Sequence, residues 1–70
     1  MPRGTYLIDM DKVKMLALNK GWSMNMLSEK ADVSYQVFIA YNKGHRSFPK
    51  TAVKIAKALG VKTSEIIVKE

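Results

Sequence analysis

The sequence contains no cysteine and a single histidine, His45. Disulfide staples, thiol nucleophiles and cysteine-based zinc clusters are thereby excluded, and the absence of thiols fits a reducing compartment. His45 has no clustered carboxylates to join it at a metal and no nucleophile to activate, so neither a metal site, a cofactor nor a catalytic residue is expected. Long hydrophobic runs are missing too: the longest, residues 37–41, falls far short of the roughly 20 apolar residues that span a bilayer. The first eight residues carry one basic side chain and three consecutive apolar ones, too little for the core of a secretory signal. A cytoplasmic protein with no membrane partner is the expectation, and with no phosphate-cradling glycine loop an enzyme is not.

What is present suits one small globular module. Seventy residues cannot supply two independent cores, yet 47% hydrophobic and 26% charged residues give enough apolar material for one. The net charge is +6, and its placement says more than its size. The carboxylates are Asp9, Asp11, Glu29, Asp32, Glu65 and Glu70, so residues 33–64 hold none. That same stretch carries Lys43, Arg46, Lys50, Lys54, Lys57 and Lys62. A segment of one sign attracts a polyanion and speeds its encounter, which favours nucleic acid over an anionic membrane surface as partner.

Helical punctuation recurs along the chain. Residues 9–20, 34–43 and 50–59 read as helices ending at Gly21, Gly44 and Gly60, residues that tolerate the left-handed conformation. Asp9, Ser23, Ser34 and Thr63 are side chains suited to capping a first turn, and Pro49 suits the start of the fourth helix. Apolar pairs Ile8 with Val13, Trp22 with Leu27 and Val33 with Phe38 sit at hydrophobic-staple spacing. Stripes at helical period predict the core: Val13, Leu16 and Ala17; Leu27 and Ala31; Phe38 and Tyr41; Ala52, Ile55, Ala56 and Leu59. Residues 64–68 read as a short fifth helix. Residues 1–8 read as an amino-terminal arm or short extended segment ahead of a domain over residues 9–70. The fold class expected is all-α, a compact domain of five helices.

Residues 23–44 are the informative stretch. A short helix, a tight turn at Asp32-Val33-Ser34 and a second helix make a helix-turn-helix, whose second helix can enter a major groove while the first crosses the backbone. Leu27, Ala31, Val33, Phe38 and Tyr41 are apolar where it must be buried, and Ser28 is small where two helices approach. Subtracting them leaves Ser34, Tyr35, Gln36, Ile39, Ala40 and Lys43 facing outward.

At Lys20-Gly21-Trp22-Ser23, Leu27-Ser28-Glu29-Lys30-Ala31, Val33-Ser34, Asn42-Lys43-Gly44 and residues 54–61 the chain resembles the Cro/C1-type, lambda-repressor-like helix-turn-helix family, also called the XRE family. The resemblance covers nearly the whole chain, about residues 9–68. It implies a five-helix fold, sequence-specific binding of double-stranded DNA, commonly as a homodimer, and a role in transcription, often as a repressor in phage or mobile-element circuits. Four positions depart from the family pattern. Met24 stands where Gln usually helps clamp phosphate, and Asp32 where the turn usually has Gly. Ala17 and Asn42 replace an Arg and a Glu that commonly form a buried ion pair; both charges are absent together, so none is stranded.

Donor geometry then assigns roles. Base reading is expected from Ser34, Tyr35, Gln36, Ile39 and Ala40: Gln36 can pair with adenine N6 and N7, while Ile39 and Ala40 can pack on thymine methyls. Phosphate contacts are expected from Ser23, Asn42, Lys43, Arg46 and Lys50. Lys54 and Lys57 are equally explained as solvated helix surface. Ile66, Ile67 and Val68 at one end, and Tyr6, Leu7 and Ile8 at the other, offer apolar surface for a dimer interface or, alternatively, for the core. An antitoxin-like module of this fold, which holds a protein partner such as a toxin as well as DNA, is the alternative reading.

Overall fold

A computed structural model describes residues 5–68 of the chain. Four α-helices dominate: α1 (Met10–Asn19), α2 (Met24–Ala31), α3 (Tyr35–Asn42) and α4 (Pro49–Leu59). Two short strands, β1 (Tyr6–Leu7) and β2 (Arg46–Ser47), pair antiparallel with Tyr6 opposite Ser47 and Leu7 opposite Arg46. A single 3-10 turn, Thr63–Glu65, follows α4.

The helix starts are capped as their side chains dictate. Asp9 Oδ1 accepts from the Lys12 amide at 3.1 Å, Ser23 Oγ from Met26 at 3.2 Å and Ser34 Oγ from Gln36 at 3.3 Å. The ends share one device. The amide five residues beyond an orphan carbonyl folds back onto it: Trp22 to Ala17, Val33 to Ser28, His45 to Ala40 and Val61 to Ala56. This bond requires a left-handed residue just before the donor. Glycine supplies it at three ends, whereas Asp32 supplies it after α2 with φ 58° and ψ 46°. A left-handed non-glycine residue costs about 1 to 2 kcal/mol, least for Asn and Asp.

The core is Ile8, Met10, Val13, Ala17, Leu27, Ala31, Phe38, Ala52, Ile55, Ala56, Leu59 and Ile66. Leu16, Trp22, Val33, Tyr41 and Ile67 pack against it half-buried. Complete burial of side chains such as Leu27, Ile55 and Ile66 stabilises by about 1.5 to 3 kcal/mol each. α4 lies against α2, and α1 and α2 both meet α3, so the core holds α3 from one side.

The carboxy-terminal end differs from expectation. No fifth α-helix forms at residues 64–68: the 3-10 turn begins at Thr63, and its cap is the Glu65 carboxylate accepting from the Lys62 amide at 3.0 Å rather than the Thr63 hydroxyl. Beyond it the chain is extended along β1. Asp9 N–H donates to Ile66 O at 2.7 Å, Val68 N–H donates to Leu7 O at 2.9 Å, and Ile8 bridges Ile67. Three consecutive β-branched residues favour that geometry, and the free edge of β1 supplies the partners a fifth helix would have lacked. Ile66 is consequently 0% exposed and belongs to the core, which removes it from a dimer interface. Ile67 is half-buried, Val68 stays exposed, and Ile8 is buried.

Candidate nucleic-acid interface

α2, the turn at residues 32–34 and α3 form a continuous unit on the surface. Leu27, Ser28, Ala31 and Phe38 anchor it in the core. Ser28 earns its burial by donating its hydroxyl to Asn25 O at 2.6 Å, so the small polar residue leaves no orphan where the helices approach. The buried flank of α3 turns Ser34, Tyr35, Gln36, Ile39 and Lys43 to solvent, with Ala40 half-buried beside them. The five residues expected to read bases thus lie along one helix, four of them exposed.

The electrostatics of the unit suit an anion. Neither α2 nor α3 has an acidic residue in its first turn, so the positive ends of both helix dipoles stay uncompensated. Ser23 Oγ takes the Met26 amide, which leaves the Met24 and Asn25 amides with no bond inside the helix. Lys43 and Lys50 are exposed on either side of β2. Asp32, the acid closest in sequence to α3, meets Lys54 at 3.9 Å with both side chains well solvated, a contact worth at most about 1 kcal/mol.

Besides Ser23, two of the expected phosphate contacts have partners within the protein. Arg46 Nε donates to Thr5 Oγ1 at 3.1 Å and its Nη2 to Thr5 O at 3.2 Å, so its guanidinium ties β2 to the residue that precedes β1. Asn42 Oδ1 accepts from Lys14 Nζ at 3.2 Å. Lys14 is a residue that sequence reasoning missed. It lies one turn before Ala17 on α1, and it joins α1 to α3 at the surface.

The loop itself is held from beneath. Tyr41 Oη donates to Ser47 Oγ at 2.9 Å, and Ser47 Oγ donates to Phe48 O at 2.9 Å. Ser47 is 0% exposed, a buried hydroxyl that neither periodicity nor composition indicates. His45 is exposed in this loop, and among the described residues no group of three His, Cys, Asp or Glu side chains is placed to hold a metal ion. Nor is any helix among them long and apolar enough to cross a membrane. Comparison with known protein families, curated proteins and solved structures finds no match to this chain.

Proposed function

We propose that this chain is a sequence-specific double-stranded DNA-binding protein of the Cro/C1 (XRE, lambda-repressor-like) type, a cytoplasmic transcriptional repressor that works as a homodimer. α3 lies in the major groove, with Gln36 on a base edge and Tyr35, Ile39 and Ala40 beside it. Ser23, the free amides of α2, Lys43 and Lys50 hold phosphates on either flank. The observation that carries this reading is the exposed face of α3, joined to α2 by a tight turn and bordered by cations with no acid in its own segment. One such helix reads only a few base pairs; a twofold pair spaced about 34 Å apart reads two half-sites. With Ile66 in the core, the large apolar side chains exposed near the ends of the described residues are Tyr6 and Val68, with Phe48 next to Ser47, which pairs with Tyr6.

Selection of bound duplexes from a random pool tests the proposal. A palindromic consensus with half-sites one helical turn apart is expected, whereas no enrichment over the starting pool would refute it. The antitoxin-like alternative draws on a separate observation: Met15 and Leu18, three residues apart on the outer side of α1, are 57% and 69% exposed. If they serve a protein partner, Leu18→Lys abolishes its capture and leaves DNA affinity intact.

A further inference from the structure

Away from the outward face of α3, the end of α1 and the indole after it form a second surface. Trp22 is half-buried against the core, which fixes its ring. Two ammonium groups converge on that ring: Lys20 Nζ lies 5.2 Å from its centroid and Lys30 Nζ 4.9 Å. They are thus no more than about 10 Å apart, within one screening length at 0.1 M salt, and repel one another. The ring attracts each cation through its quadrupole, yet it supplies no full counter-charge and leaves ammonium N–H donors open. Among the described residues the ion pair is that of Lys54 with Asp32, so neither Lys20 nor Lys30 meets a carboxylate there. Glu29, next to Lys30 in sequence, lines a cleft with Asp32 and Ser34 instead. Lys20 is placed by α4 as well: its ammonium stands 3.9 Å from the point a Cβ on Gly60 would take, at the negative end of that helix.

The same end of α1 exposes Met15 and Leu18, by 57% and 69%. A phosphate backbone answers the two cations but offers nothing apolar to cover these side chains. An anionic bilayer answers both, but a helix lying on a bilayer needs a broad apolar face, and that of α1 is spent in the core through Met10, Val13 and Ala17. Met15 and Leu18 stand at the spacing of one helical turn and so match the apolar stripe of a second helix, whose flanking carboxylates reach the ammonium groups. We propose that this surface docks an acidic amphipathic helix of a partner protein. Met15, Leu18 and the exposed part of Trp22 cover its apolar stripe, and Lys20 and Lys30 bind its carboxylates. The inference rests on the protein-partner reading above, to which it gives a chemistry, and it is independent of base reading by α3.

The test titrates the full chain with a synthetic peptide of about four helical turns, with leucine at helical spacing, glutamate elsewhere and no aromatic residue. Two control peptides carry glutamine for every glutamate or alanine for every leucine. Trp22, the sole tryptophan, reports at the site through its emission. Saturable binding of the acidic peptide is expected, about fivefold tighter than the glutamine control and about tenfold tighter than the alanine control. Leu18→Lys should weaken it by about tenfold or more, and Lys20→Gln and Lys30→Gln by about threefold each. Lys30→Arg should keep the parent affinity, since the charge and the ring contact both remain. Circular dichroism checks that the variants are folded, as expected for exposed side chains. Equal binding of the acidic and glutamine peptides overturns the acidic partner and leaves the protein-partner reading standing; no binding of any peptide overturns both. Unchanged affinity in Leu18→Lys overturns the site. A response of Trp22 to anionic phospholipid vesicles but not to the peptide assigns the surface to lipid, and self-association lost in Leu18→Lys assigns it to a second copy of the chain; either overturns the inference.

Discussion

The hydroxyl chain beneath the loop after α3 makes a quantitative test of the architecture that presents the basic side chains. Tyr41→Phe removes the bond to Ser47 Oγ but leaves that hydroxyl donating to Phe48 O. One net hydrogen bond is lost and a fully buried oxygen loses its donor, which costs about 1 to 1.5 kcal/mol. Ser47→Ala removes both bonds at once. The Phe48 carbonyl still accepts from the Ala52 amide at 3.1 Å, and Tyr41 is half-buried, so neither group is stranded and the loss stays at about 1 to 2 kcal/mol. In the double variant nothing further remains to be lost. Its stability should therefore lie within about 0.5 kcal/mol of Ser47→Ala alone, a coupling near 1 kcal/mol. Urea unfolding followed through Trp22, the sole tryptophan, measures all four members of the cycle. Each kcal/mol should also lower the melting temperature by about 4 to 8 °C in a domain of this size. Strictly additive losses would refute the argument, because they would mean that the two hydroxyls do not act on one another.

Three other outcomes are expected. Gln36→Ala should relax discrimination at a single base position by about 1 to 3 kcal/mol, read by repeating the duplex selection; an unchanged preference removes Gln36 from the reading face. Lys43→Ala and Lys50→Ala should each weaken binding uniformly across sequences and reduce the slope of log affinity against log salt by about 1, measured by fluorescence anisotropy from low to physiological salt. Ile66→Ala should cost about 2 to 5 kcal/mol of stability, because the side chain is wholly enclosed, and equilibrium sedimentation under native conditions should find the association state of the folded fraction unchanged.

Much of the helical framework is legible along the chain because it is local. Asp9, Ser23 and Ser34 cap within three residues of themselves, and the glycines end helices through their own backbone freedom. Where the outcome depends on a distant partner, local signals mislead. The run Ile66-Ile67-Val68 follows a plausible helix cap, yet its bonds go to residues 7–9 at the other end of the chain. Ser47 gives no hint of burial until Tyr41 is placed above it, and Met10 shows none until α3 is docked on α1. At the candidate site the exposed face of α3 follows from subtracting the core positions. The engagement of Arg46 by Thr5 and of Asn42 by Lys14 does not, since both are contacts between elements 28 to 41 residues apart.

The claim on which the functional account depends is that α3 and the start of α2 meet the duplex together. Nuclear magnetic resonance titration of the labelled chain with the selected duplex tests this residue by residue. The account predicts that amide shifts concentrate at residues 23–25 and 34–43 and spread to Lys50. Shifts confined to the outer side of α1 or to the extended residues 66–68, with the amides of α3 unmoved, would contradict it.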